Sequence, residues 1–202
     1  MATPRSLADK ALAIALKQGV LRPRDLERNG VPSYYAATLF RAGRLNRVGR
    51  GLYVHPEAHV SENHTLALVA KRIPGSIICL LSALRFHELT TQLPNATWIA
   101  VSQKGRRPTA NDIPLRIVRF SGNALKDGVR EYALDGVTVR ITDPARTVVD
   151  CFKYRNKIGR DVAVEALRDA MSQRKVNLQQ LNQYARMCRV SKFMQPYLEL
   201  YV

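Results

Sequence analysis

The 202 residues are 46% hydrophobic and 24% charged, enough apolar content for a packed core and too much for a disordered chain. No apolar run is long enough to span a bilayer and Met1 to Leu12 lacks a signal-peptide core, which predicts a cytoplasmic protein without a membrane partner. A formal net charge of +16, from 32 Lys+Arg against 16 Asp+Glu, predicts a polyanionic partner, nucleic acid in the absence of a lipid motif.

Ser6 to Gln18 carries Leu7, Ala11, Ile14 and Ala15 on one stripe and stops at Gly19, which predicts a first helix. Val20-Leu21-Arg22 reads as a short connection. Pro23 to Asn29 reads as a second helix, with proline in its first turn and Gly30 behind it. Pro32 and Ser33 open a third, the Ser33 hydroxyl free to cap the first-turn amides. Ala36, Leu39 and Phe40 fall on one face of that helix, and Tyr34, Ala37, Thr38 and Arg41 on the other. Gly43 ends it in a left-handed conformation. Leu45 to Val48 and Leu52 to Val54 then flank Gly49-Arg50-Gly51, two short strands around an arginine-tipped turn.

That order is the pattern of a winged helix-turn-helix, predicted over residues 1–58. In such a domain the outer side of the third helix enters the major groove and wing arginines reach the backbone or minor groove. Tyr34, Thr38 and Arg41 take the first role, Arg47 and Arg50 the second, and Ser33 and Arg44 hold flanking phosphates. A solvated basic face for protein contacts is the alternative. Residues 1–60 carry 10 basic and 4 acidic side chains, a net of +6 that weighs toward double-stranded DNA.

His55-Pro56-Glu57-Ala58-His59 reads as a linker, its two histidines having no third ligand at metal spacing. Residues 59–202 read as a mixed α/β domain with a small sheet and several helices, making the fold class α+β. Helices are predicted over Glu62 to Arg72, Arg160 to Gln173 and Leu178 to Cys188, with a brief helical turn over Ser82 to Glu88. Strands are predicted at Ile77 to Leu80, Trp98 to Val101, Leu115 to Phe120 and Val137 to Ile141. Asp143 and Pro144 open a further helix with Val148, Val149 and Phe152 on its apolar face. The tail from Phe193 to Val202 is apolar enough to dock, but Pro196 leaves its conformation open.

Catalytic signals are sparse. There is no phosphate-binding GxxxxGK loop, GxSxG or HExxH. His87 reads as a capping or core histidine, and Cys79, Cys151 and Cys188 as buried reduced thiols. Asp135, Asp143 and Asp150 are the carboxylates a nuclease would need, yet Asp143 reads as a helix cap and Asp150 as an exposed helical position. No catalytic residue, metal or cofactor is therefore expected, with a nucleic-acid-acting enzyme built on a nuclease-like C-terminal domain as the alternative. Residues 61–202 keep a net of +10. Lys104, Arg106 and Arg107, with Arg155 and Arg160, form a possible second basic surface, for nucleic acid or an acidic partner.

Three segments carry a family resemblance: GRLNRVGRGLYV at Gly43 to Val54, SALRFHELT at Ser82 to Thr90 with a strand opening on Trp98, and ITDPARTVVDCFKY at Ile141 to Tyr154. Together they resemble the AbiEi antitoxins of type IV toxin–antitoxin systems, also met as abortive-infection regulators. The resemblance implies an N-terminal winged-helix domain that binds inverted repeats in its own promoter and represses the operon. It also implies a C-terminal domain that neutralises a nucleotidyltransferase-like toxin without a stable complex. It implies no catalytic residue.

Overall fold

In the computed structural model, which describes residues 6–58, 61–105, 107–110 and 112–201, Ser6 caps the first helix. Its hydroxyl oxygen accepts the Asp9 amide at 3.1 Å, and α1 (Leu7–Gln18) buries Ala11, Leu12 and Ala15. Gly19 ends α1 at φ +65°, and a Cβ there would stand 1.8 Å from the Asp135 carbonyl oxygen, so no side chain fits. The segment read as a connection is a strand. β1 (Val20–Leu21) pairs antiparallel with β3 (Leu52–Val54), which also pairs with β2 (Asn46–Gly49), giving the order β1-β3-β2.

α2 (Pro23–Glu27) is shorter than its sequence pattern, and the Asp25 carboxylate accepts the Arg22 backbone N–H at 2.9 Å. α3 (Tyr35–Arg41) begins later than expected, and Ser33 does not cap it. The chain enters through tight turns in which the Pro32 and Ser33 carbonyls accept the Tyr35 and Ala36 amides, so backbone already satisfies those donors. Ala36 and Leu39 are buried with Leu21, Leu26, Val31 and Leu45. Phe40, expected inward, is 40% exposed, because two buried residues use up the inner face of so short a helix. Its ring instead lies 6.1 Å from that of Tyr53.

This unit continues to Pro74 and takes in Tyr132–Val139, past the 58/59 boundary expected from the sequence. α4 (His64–Arg72) is the reason. Lys71 Nζ lies 3.0 Å from the Asp25 carboxylate, Arg22 donates to the Lys71 carbonyl at 2.8 Å, and His64 Nδ1 is 2.6 Å from Asp135.

The second unit comprises Gly75–Glu131 and the chain from Arg140 onward. A five-stranded sheet takes the order β6-β5-β4-β8-β7, from β4 (Ile77–Ile78), β5 (Thr97–Ser102), β6 (Leu115–Phe120), β7 (Val129–Leu134) and β8 (Val137–Thr142). β4 runs antiparallel to β5 and parallel to β8, and β5 runs parallel to β6. The strand expected over Ile77 to Leu80 stops at Ile78, because Leu80 opens α5 (Leu80–Phe86). The helices α6 (Pro144–Lys153), α7 (Arg155–Ile158), α8 (Arg160–Ser172), α9 (Leu178–Cys188) and α10 (Ser191–Leu198) follow. Pro196 sits inside α10, whose Met194 and Leu198 are buried, so the tail does dock.

α6 is buried along Ala145 to Phe152. Asp143 caps it as expected, accepting the Arg146 amide at 2.8 Å and the Tyr184 hydroxyl at 2.8 Å. Asp150, expected exposed, is fully buried. Arg146, one turn earlier on the same face, is equally buried and needs a counter-charge there. Its Nε meets Asp150 at 3.0 Å, its Nη1 donates to the Asp127 carbonyl at 2.7 Å, and its Cζ lies 4.9 Å from the Phe120 ring centroid. Burial pushes the Asp150 carboxyl upward and the guanidinium opposes that push.

Removing one partner of such a pair strands a buried charge. Asp150→Ala is expected to lose about 3–5 kcal/mol in chemical denaturation. Arg146→Met combined with Asp150→Leu is expected to recover most of that loss. Equal instability of the single and double variants would contradict this account.

Candidate nucleic-acid interface

α3 turns Tyr34, Thr38 and Arg41 to solvent. Tyr34 is 61% exposed and stacks on Tyr35 with ring centroids 4.8 Å apart, which stiffens an aromatic side chain at the helix entry. The Thr38 hydroxyl bonds back to the Tyr34 carbonyl at 3.2 Å. Gly43 adopts φ +69° beyond the last turn. Its amide donates to the Phe40 carbonyl and the Arg44 amide to that of Leu39, at 3.0 and 2.9 Å, a Schellman closure that swings the chain straight into the hairpin. Ser33 is half-buried at the entry.

Arg44 faces Asp9 at 3.5 Å with both side chains about half exposed, a pair that water and salt screen strongly. Arg47 donates from Nε to the Gly49 carbonyl at 3.3 Å, and Arg50 occupies the exposed turn. Three further arginines escaped the sequence reading. Arg22, Arg24 and Arg72 line a hollow of about 360 Å³ with Arg50, Pro23, Gly51 and Leu52. The Arg72 guanidinium donates to the Arg50 carbonyl, fixing the turn from α4. The pairing of β1 with β3 brings Arg22 beside the hairpin, and no motif in the sequence announces that pairing. Burial opposes charge on Asp25, but hydrogen bonds from Arg22 and Lys71 outweigh it and lower this carboxyl from 3.8 to about 2.

In the second unit Lys104, Arg107 and Arg160 are exposed, and Arg106 lies outside the described residues, as does His59 of the linker. Arg155 is half-buried. It donates to the Phe152 carbonyl at 3.0 Å and packs its Cζ 3.9 Å from the Phe193 ring centroid. Arg107 instead joins Arg116 and Lys157 around a hollow of about 690 Å³ containing Trp98.

His87 is buried with Nε2 2.7 Å from the Thr142 carbonyl oxygen, and burial holds its pKa below 6.5. The three cysteines are buried free thiols. Among the described residues no group of three or more His, Cys, Asp or Glu is placed to hold a metal ion, and no helix is long and apolar enough to cross a membrane. Asp135, Asp143 and Asp150 are each engaged, with His64, Tyr184 and Arg146.

Residues 9–56 match the family described as "Transcriptional regulator, AbiEi antitoxin". The AbiEi match runs from within α1 to just beyond β3 and contains the α3 and hairpin residues named above. No curated protein matches the chain. The fold is similar to the crystal structure of the RV2827C protein from Mycobacterium tuberculosis, with a TM-score of 0.58 and 15% identity over 92% of this chain and 73% of that one. Arg72 and Lys71 fall outside the AbiEi match, yet they tie α4 to α2 and to the hairpin turn.

The Asp25 pairing contributes stability that is complete above its unfolded pKa near 3.8 and disappears as pH falls toward 2. Asp25→Asn is therefore expected to unfold more easily than the parent by roughly 2 kcal/mol near neutral pH. Denaturant titrations should show the gap closing as pH drops through that window. A pH-independent gap would mean that the carboxylate's charge is not what holds α2 to α4.

Proposed function

We propose that this protein is an AbiEi-type antitoxin and transcriptional regulator whose first unit is a winged helix-turn-helix. α3 is its recognition helix and the β2–β3 hairpin its wing. Tyr34, Thr38 and Arg41 read base edges in the major groove, Arg47 and Arg50 reach backbone or minor groove, and Ser33 and Arg44 hold phosphates. The duplex is an inverted repeat in the protein's own promoter, and occupancy there represses the operon. The observation carrying this reading is an exposed α3 face joined by a Schellman turn to an arginine-tipped hairpin inside the segment that matches AbiEi regulators.

The second unit acts as the antitoxin part, opposing a nucleotidyltransferase-like toxin by occupancy rather than catalysis and without a lasting complex. The engagement of this unit's Asp143 and Asp150 in a cap and an ion pair, and of the first unit's Asp135 with His64, supports this over a nuclease reading.

The test is binding of the full chain to the DNA upstream of its own gene across a salt series. Several phosphate contacts should give a log–log slope of several units. Tyr34→Ala and Arg41→Ala are expected to cost about 1–3 kcal/mol on that duplex and little on random DNA. Arg50→Ala should weaken both alike. Identical losses on both duplexes for all three variants would remove base reading from α3, and no binding at low salt would remove the duplex altogether.

A further inference from the structure

The hollow in the second unit has a composition that a solvated basic surface does not explain. It measures about 690 Å³, the size class of small-molecule sites. Its cations come from three separate elements: Arg107 from the loop after β5, Arg116 from β6 and Lys157 from α7. Among the described residues that line it none is acidic, and all three cations are exposed. Like charges gathered together repel one another, so the arrangement favours an anion that neutralises them.

The floor is aromatic. Trp98 stands opposite Arg116 in the β5–β6 register, and its backbone amide is anchored to the Ser82 hydroxyl at 2.9 Å. Its indole packs against the unit's core and also lines the hollow. Inorganic phosphate alone would use neither an indole nor this volume. A planar base stacked on Trp98 with its phosphate among the cations uses both, and Gln92 and Asn95 in the lining carry amides of the kind that pair with base edges.

We propose that this hollow binds a nucleoside phosphate, either free or as part of a single nucleic-acid strand. Its residues all belong to the second unit, so the inference holds whether or not the first unit binds duplex DNA.

Trp98 is the only tryptophan in the chain, so its emission in the full-length protein reports this hollow alone. Adenosine and uridine monophosphates, and a short single-stranded oligoribonucleotide, are titrated in separate arms. Saturable quenching by a monophosphate is expected, with the free nucleoside binding at least about tenfold more weakly. Tighter binding of the oligonucleotide identifies a strand as the source, and equal binding a free nucleotide. Arg107→Glu with Arg116→Glu is expected to weaken binding about a hundredfold, two charged contacts being lost. Unchanged ligand-free emission and circular dichroism establish that the fold is kept. The proposal is overturned if neither nucleotide nor strand quenches, or if the charge-reversed protein binds as well as the parent. It is also overturned if an acidic peptide displaces the nucleotide at equal concentration, which would mark a protein-binding surface.

Discussion

The second unit is organised around a guanidinium that has no access to water. Arg146 is fully buried in α6, and each thing it touches is fixed by the touch: Asp150 on its own helix, the Asp127 carbonyl, and the face of Phe120 on β6. An arginine so placed tolerates little displacement, because a buried charge that loses its partner has no solvent to fall back on. α6 therefore has one way to sit on the sheet. The hydroxyls of Thr142 and Thr147, 2.7 Å apart, and the bond from Tyr184 to the Asp143 cap complete the constraint around its first turn. The segment ITDPARTVVD is thus an internal brace, and its two aspartates are structural parts rather than free carboxylates.

The net charge of +16 signals a polyanion but does not locate it. Some cations are consumed in holding the fold. Arg140 donates to the Leu125 carbonyl at 2.7 Å, Arg119 to that of Ser102 at 2.7 Å, and Arg155 lies over Phe193. Others gather where chain segments distant in sequence converge, at the hollow beside the hairpin turn and at the hollow over Trp98. Those over Trp98 are exposed, whereas beside the hairpin turn Arg22 and Arg72 also hold backbone carbonyls.

Local signals made much of the first unit legible. The Gly19 stop, the left-handed Gly43 and the arginine-tipped turn each depend on residues within a few positions of one another. The failures share a cause. β1 is two residues long and becomes a strand only by pairing with β3, and Asp150 is a buried position only because Arg146, one turn earlier on the same face, is buried with it. Ser33 carried the chemistry of a cap, but backbone carbonyls reached the same amides first. Arg22, Arg24 and Arg72 were invisible beside Arg50 because α4 lies outside the winged pattern, and Arg116 and Lys157 because nothing in the sequence links β6 to α7.

The brevity of α3 has a consequence for recognition. Seven residues rise about 10 Å, which on the proposed reading lies alongside roughly three base pairs of a duplex. That is far too little text to mark one address among the millions a genome presents. On that reading the information comes from repetition, two copies of the chain being set on neighbouring half-sites with the spacing between them carrying part of the message. A promoter with one half-site inverted or moved by a few base pairs would then be nearly anonymous to the protein, although every contact made by a single copy were preserved.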